Sequence, residues 1–247
     1  MEKIPAPDLP ENLSPTLNRL LATVPKGVQE RIFKNLKLTP LPLGTVLYES
    51  GDTLDQVYFP INAIVSLLYV MENGSSAEIA IVGNEGLIGI AVFMGGETTP
   101  NRAICQSAGY AYCLPSQLLK QEFNLHTDLM VLVLRYTQAL ITQMAQTAVC
   151  NRHHSIDQQL CRWLLLSLDR LKSNQLVMTQ ELIANMLGVR REGVTEAAGK
   201  LQKLGVIEYV RGKITVLDRP KLEKLCCECY AVVKKETERL LPWAATP

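Results

Sequence analysis

The side chains able to do chemistry are few and scattered in this chain. There are seven cysteines, at 105, 113, 150, 161, 226, 227 and 229, and three histidines, at 126, 153 and 154. The densest group is Cys226-Cys227-Glu228-Cys229. Three thiols in so short a run suggest metal binding when a second pair lies at ligand spacing, and no such pair is present. On a helix Cys226 and Cys229 share one face, which suits small packed residues equally well. Both readings stay open, and no metal site is assigned. The odd cysteine count and the absence of an export signal point to reduced thiols. The sequence offers no nucleophile–base set, phosphate-binding loop or metal-ligand constellation, so an enzyme is not expected.

The second chemistry is hydrogen bonding from a basic and polar surface at 178–218. Thr179 is a candidate N-cap, with Glu181 in the first turn. Leu182, Ile183, Met186 and Leu187 repeat at helical spacing. Gly188 breaks the run where the backbone must turn with positive φ. A second helix begins near Arg190, with Val194, Ala197, Ala198, Leu201 and Leu204 as its inward face. Gly205 ends it, and two short β-prone runs, 207–210 and 214–217, flank Arg211-Gly212-Lys213. Ala184, four residues before Gly188, is small where two helices would cross. That is the pattern of a helix-turn-helix with a β-wing, whose second helix enters the DNA major groove. A packed helical hairpin without DNA is the competing reading.

The elements that must position this head occupy the rest of the chain. Its 247 residues fit one or two domains with real cores, and 47% hydrophobic with 20% charged residues is an ordinary globular balance. Net charge is +1, so attraction to nucleic acid must come from a local patch. Even 178–218 holds six basic against five acidic residues. No apolar run of about 18 residues predicts a membrane span. The N-terminus is polar and proline-rich, unlike a signal peptide, so cytoplasm is the expected location.

In chain order, 1–15 reads as a flexible arm and 17–36 as one or two short helices around Pro25-Lys26-Gly27. From Leu38, apolar runs at 45–48, 56–59, 63–71, 77–82, 103–106 and 110–114 alternate with turn residues. Such spacing predicts a sandwich or barrel and leaves no room for the helices of a doubly wound enzyme. From Thr127 to about Cys150 one long helix is expected. Met130, Val133, Thr137, Leu140, Met144 and Thr147 form its seam of alternating three- and four-residue steps, read as the contact with a partner helix. Leu129, Leu132, Tyr136 and Ile141 lie on the other side, read as packing on its own domain. Residues 151–155 mark a hinge, 156–171 a further amphipathic helix, and 221–241 a helical tail.

A β-rich domain, a long helix, a hinge and a winged helix-turn-helix, in that order, resemble the Crp/Fnr family of bacterial transcription regulators. The resemblance spans about 20–220 and also appears in GTVLYESGD, VYFPINAIVSLL, EGLIGIAVFMGG and NRAICQ. It implies an α+β fold. A cyclic-nucleotide-binding-like antiparallel β-roll sensor would occupy 16–125, a dimerisation helix and hinge 126–152, and a winged helix-turn-helix 153–247. It implies a homodimer on a palindromic site with half-sites some 34 Å apart.

In the family an Arg-Glu pair opens the recognition helix, and Arg191-Glu192 matches it. An arginine fork suits guanine O6 and N7, and a carboxylate accepts from cytosine N4. Thr195 and Glu196 lie one turn on. The cyclic-AMP receptor protein has arginine at the place of Glu196, so a different half-site is expected. Arg190 stands where a Ser or Thr cap is common, and phosphate contacts are expected from it and from Thr179, Gln180, Arg211 and Lys213. The effector pocket expected from the resemblance involves Gly89, Ile90, Arg102, Ala103, Gln143 and Thr147. The family's Gly-Glu pair is here Gly89-Ile90, and isoleucine cannot accept from a ribose hydroxyl. That loss costs about 1.5–3 kcal/mol, so cyclic AMP is not expected to bind. With no cysteine before Cys105, the iron–sulfur cluster of the oxygen-sensing branch is not expected, nor is haem. The expected partners are double-stranded DNA, a second copy, RNA polymerase for an activator, and an unidentified small effector. A cyclic-nucleotide-binding module that does not bind DNA is the alternative.

Overall fold

The computed structural model describes residues 13–126 and 128–241. Most of the expected N-terminal arm, Thr127 and residues 242–247 lie outside the described residues. Two short helices, α1 (Arg19–Thr23) and α2 (Lys26–Ile32), lead into β1 (Lys37–Leu41), β2 (Val46–Tyr48), β3 (Gln56–Pro60), β4 (Ile64–Val70) and β5 (Ser76–Val82). After α3 (Ala91–Met94) come β6 (Arg102–Ser107), β7 (Gly109–Pro115), α4 (Ser116–Asn124) and the long helix α5 (Asp128–His153). The head comprises α6 (Ile156–Leu168), β8 (Gln175–Val177), α7 (Gln180–Leu187), α8 (Arg191–Lys203), β9 (Ile207–Val210) and β10 (Lys213–Val216). The chain then forms α9 (Arg219–Leu225) and α10 (Glu228–Leu240).

The first seven strands form a β-roll from two antiparallel sheets, ordered β1-β7-β3 and β2-β6-β4-β5. The α+β class and the six expected strands are present. Strand β1 is additional, and its Pro40 hides it from a strand reading. A proline cannot donate to a ladder and is tolerated here because β1 is an edge strand.

Strand alternation builds two cores on one sheet. Along β4, Val65 and Leu67 point into the roll and join Val57, Phe59, Leu87 and Leu114. Ile64 and Leu68 point outward, where Trp163, Leu164 and Leu168 of α6 cover them. Helix α6 is buried at every position from Gln159 to Leu168, because the head covers its other side. Its start is fixed by a capping box: the Ser155 hydroxyl accepts from the Gln158 amide, and the Gln158 side chain accepts from the Ser155 amide.

The long helix forms as expected, but its seam faces inward. Val133, Thr137, Leu140 and Thr147 are buried within the chain, and Met144 packs against the roll core. Leu129, Leu132 and Tyr136 are buried as well. Tyr136 donates to the Leu87 carbonyl at 2.9 Å, and its ring occupies the space a side chain at Gly86 would need. Gln143 grips the edge of β5, accepting from Ile81 N at 2.9 Å and donating to Ile81 O at 3.2 Å. The ridge left open carries Val131, Leu134, Ile141 and Val149, each 43–48% exposed. The correction has a simple cause: α5 carries apolar residues on more than one side, so periodicity cannot say which side the β-roll takes.

The tail departs from a single helix. Cys226 is extended and ends α9, and Cys227 caps α10, so Cys226 and Cys229 do not share a helix face. Helix α10 returns along α5, and Leu241 enters the roll core.

A polar strip crosses the interface between β-roll and α6. Ser66 donates to Gln106 at 2.7 Å, and Gln106 donates to Ser167 at 3.3 Å. Beside it Glu78 is buried, with one carboxylate oxygen unpartnered. Burial pushes its pKa up to about 7, against the pull of Ser66 and Arg162. The unfolded chain releases this proton near pH 4.5, and the folded chain holds it until about pH 7. Between those values the native state binds more protons, so stability falls as pH rises, by about 3 kcal/mol in all. Glu78→Gln is therefore expected to remove most of this decline and to be the more stable protein at pH 8. Urea unfolding of both proteins at pH 5 and pH 8 checks this, and equal pH dependence in the two contradicts it.

Candidate nucleic-acid interface and ligand cavity

The head assembles from the features its sequence displays. The Thr179 hydroxyl accepts from the Leu182 amide and starts α7. Gly188 turns with φ of 65°, and its amide closes on the Ala184 carbonyl. Arg190 caps α8 without a side-chain bond. Ile183, Ala184, Leu187, Val194, Ala197, Ala198 and Leu201 are buried between the two helices and α6. This burial forces the other face outward. Arg190, Arg191, Glu192, Thr195 and Glu196 are all exposed, as are Thr179, Arg211 and Lys213, and Gln180 is half-buried.

Thr195 donates to Gln180 at 2.7 Å and to the Arg191 carbonyl at 3.0 Å, tying α7 to α8. Glu196 pairs with Lys200 at 3.0 Å, and Lys200 also reaches Asp157 at 3.2 Å. Among the described residues the side chains of Arg190, Arg191, Glu192, Arg211 and Lys213 make no hydrogen bond or ion pair. Their donors and acceptors are free for an incoming ligand.

The wing is tighter than the expected three-residue connection. Val210 pairs with Lys213, so only Arg211 and Gly212 form the turn, both with positive φ (48° and 78°). Those signs are those of a two-residue type I′ hairpin. The Gly212 carbonyl accepts from Met178 N at 2.7 Å, which brings the wing tip beside the start of α7. Two basic side chains thus flank a helix N-terminus, an arrangement suited to phosphate. Of the nine residues expected to meet DNA, eight are exposed and Gln180 is half-buried.

The expected effector residues do not converge. A cavity of about 290 Å³ lies between β-roll and α5, walled by Tyr48, Leu67, Ile79, Ile90, Leu140 and Met144 among others. Gly89 and Ile90 line it. Arg102 instead pairs with Glu49 at 3.1 Å, and Ala103 is buried in the roll core. Gln143 is committed to the edge of β5, and Thr147 accepts from Arg162 at 3.1 Å. Glu97 lies outside the cavity wall and pairs with Lys120 at 2.6 Å. Among the described residues no charged side chain lines the cavity.

A third constellation joins residues far apart in sequence. Cys150, His154, Cys227 and Cys229 place their ligand atoms within 4.8 Å of one another at the end of α5. Cys150 and His154 are four residues apart and Cys227 and Cys229 two, but 77 residues separate Cys150 from Cys227, so only the fold joins the two pairs.

Residues 38–126 match the family model of the cyclic nucleotide-binding domain, and residues 158–225 match that of the Crp-like helix-turn-helix domain. Together the two stretches cover more than half of the chain. The chain belongs to the Crp/Fnr family. It is a DNA-binding transcription regulator of the Crp/Fnr type, which sets aside the alternative of a module without DNA binding. It is similar to the global nitrogen regulator of Synechocystis sp., at 23% identity over 180 residues, 69% of this chain and 80% of that protein. Its fold is shared with FixK2 from Bradyrhizobium japonicum, with a TM-score of 0.66 at 14% identity, covering 78% of this chain and 98% of that one. A transcriptional regulator of the crp/fnr family from Eubacterium rectale has a TM-score of 0.63 at 20% identity, covering 85% of this chain and 98% of that one.

As a Crp/Fnr head, the exposed Arg191 supports no part of the fold. Arg191→Ala is expected to leave unfolding within about 0.5 kcal/mol of the parent. It should remove about 1–3 kcal/mol of discrimination at one base-pair position. Binding to operator variants substituted at each position measures this, and a uniform loss across all variants contradicts a base-reading role.

Proposed function

We propose that this regulator acts as a homodimer, joined along the open ridge of α5, and sets two α8 helices into successive major grooves of a palindromic site. The observation that carries the proposal is the combination of two uncommitted surfaces on one chain. Among the described residues nothing covers the apolar Val131, Leu134, Ile141 and Val149, and Arg191 and Glu192 stand exposed and unpaired at the start of α8. The steps of three, seven and eight residues between these apolar positions keep them on one side of the helix, which suits a two-fold helix pair. Two-fold pairing duplicates a head whose own charge is nearly balanced, and so supplies the avidity that one head lacks.

Arg191 is assigned to guanine and Glu192 to cytosine, with Thr195 and Glu196 next along the groove. Glu196 is a carboxylate neutralised by Lys200, so it does not donate to guanine. This supports a half-site distinct from that of the cyclic-AMP receptor protein. Thr179, Gln180, Arg190, Arg211 and Lys213 are assigned to phosphate and fix register.

The sensor is assigned an uncharged, largely apolar effector. A cyclic phosphate placed in this cavity meets no cation in its wall, and a ribose hydroxyl meets Ile90 in place of a carboxylate. Burial of an unpaired charge is costly. The protein is read as a non-enzymatic regulator of the cytoplasm, with RNA polymerase as a further partner where it activates. No helix of the described residues is long and apolar enough to cross a membrane.

Ile141→Glu is expected to give monomers, because the carboxylate would be buried in the proposed contact. DNA affinity should fall about 100-fold or more with the loss of the second head. Sedimentation velocity and mobility shift test the pair of outcomes, and a dimer that persists contradicts the assigned face. Calorimetry with cyclic AMP is expected to show no binding at micromolar concentrations; saturable one-to-one heat would overturn the effector assignment.

A further inference from the structure

The cluster at the end of α5 has the composition and shape of a metal site. Cys150 and His154 are four residues apart, so the helix puts them on one face, and the His154 amide still bonds to the Cys150 carbonyl at 3.0 Å. From the opposite side the chain breaks between α9 and α10. The extended Cys226 swings Cys227 and Cys229 into the gap. Cys150 Sγ and Cys227 Sγ are 3.6 Å apart, and Cys229 Sγ lies 3.4 Å from His154 Nδ1.

A tetrahedral zinc ion holds sulfur at about 2.3 Å and nitrogen at about 2.0–2.1 Å, which sets ligand-to-ligand edges of roughly 3.5–3.8 Å. The two short edges, 3.6 and 3.4 Å, are close to that length. The remaining pairs lie within 4.8 Å and need to contract by about 1 Å at most. The sulfur pair is far outside the roughly 2.05 Å of a disulfide.

The surroundings fit a bound cation better than four packed neutral groups. His154 Nε2 lies 3.3 Å from the Glu228 carboxylate, the arrangement that orients a metal-bound imidazole through its other nitrogen. Gln146 Nε2 donates to Cys229 Sγ at 3.1 Å, a bond that a thiolate accepts well. Three thiolates, a neutral histidine and a divalent ion sum to one negative charge. The buried Arg162 acts electrostatically on Cys150 and offsets that charge. Cys150, Cys227 and Cys229 are themselves buried.

We propose that Cys150, His154, Cys227 and Cys229 form a Cys₃His site for zinc or a like divalent ion, which pins α10 to the end of α5 at the hinge before α6. Occupancy would then set how the head leaves the dimer helix. The site stands apart from the assigned DNA surface and apolar cavity, and its test does not depend on either.

The full chain, isolated anaerobically with thiol reductant and freed of metal by chelator, is titrated with zinc against a chromophoric chelator and with cobalt(II) by absorption. The expected result is one equivalent per chain, with zinc bound at about nanomolar or tighter and cobalt giving the thiolate charge-transfer and ligand-field bands of a tetrahedral site. Cys227→Ser is expected to weaken zinc by at least about 100-fold, and Glu228→Gln by about 10–100-fold through its effect on His154. Cys113→Ser, in the β-roll, should bind as the parent does. Glu228 is exposed, so its variant keeps the fold and remains informative if Cys227→Ser unfolds. Absence of stoichiometric binding, or binding unchanged in both site variants, overturns the proposal. So does a Cys150–Cys227 disulfide, or iron with acid-labile sulfide, in the anaerobically isolated protein.

Discussion

The burial of α6 on both sides is the constraint on which the rest of this structure depends. From Gln159 to Leu168 every residue is covered, by β4 and β5 on one side and by the winged head on the other. The helix that opens the head is therefore also the core that the head shares with the β-roll. Its apolar contacts with Ile64, Leu68 and Ile81 are non-directional and tolerate sliding. The polar strip of Ser66, Gln106 and Ser167 is directional and holds one register. A head that turns relative to the β-roll must exchange these bonds for others, and such an interface favours discrete positions over continuous drift.

Much of this was legible before the fold was seen. The two helices of the head, the αL glycine between them and the wing follow from residue types at short range. Thr179 acts through its own hydroxyl on the first turn, and Gly188 and Gly212 through their own backbone. The exposed face of α8 was equally legible, because burying Val194, Ala197 and Leu201 leaves Arg191, Glu192 and Thr195 no choice but to face out. Strand β1 was missed because Pro40 masks it, and an edge position is a property of the whole sheet.

The rest required tertiary choices that a local pattern does not contain. Helix α5 carries apolar residues on both sides, and Val133 could as well have met a partner as Val131. The sheet decides, through Tyr136 at Gly86 and Gln143 at Ile81. The cavity escaped for a related reason. Arg102 and Gln143 have the chemistry of ligand contacts, but Glu49 and the edge of β5 claim them first. In the thiol cluster Cys150 and Cys227 are 77 residues apart. The run at 226–229 displays three thiols, and only the fold shows that Cys227 and Cys229 take Cys150 and His154 as company while Cys226 is left out.

One helix nevertheless touches every one of these features. Leu140 and Met144 form part of the cavity wall, Gln143 holds β5, Thr147 receives Arg162 from α6, and Cys150 faces α10. From Leu140 to Cys150 is about 15 Å along the axis. Its other side presents the ridge assigned to the second copy. A ligand seated against Leu140 and Met144 thus bears on the same rigid element that meets both the partner and the hinge. For such a ligand to change DNA affinity it must bind one placement of α5 more tightly than another. The bond from Arg162 to Thr147 is the direct polar link by which a shift of α5 is felt in α6, since Arg162 has its guanidinium buried and its Nε unpartnered. Moving Thr147 away would leave more of that cation unpaired in a buried place, so α6 has an energetic reason to follow.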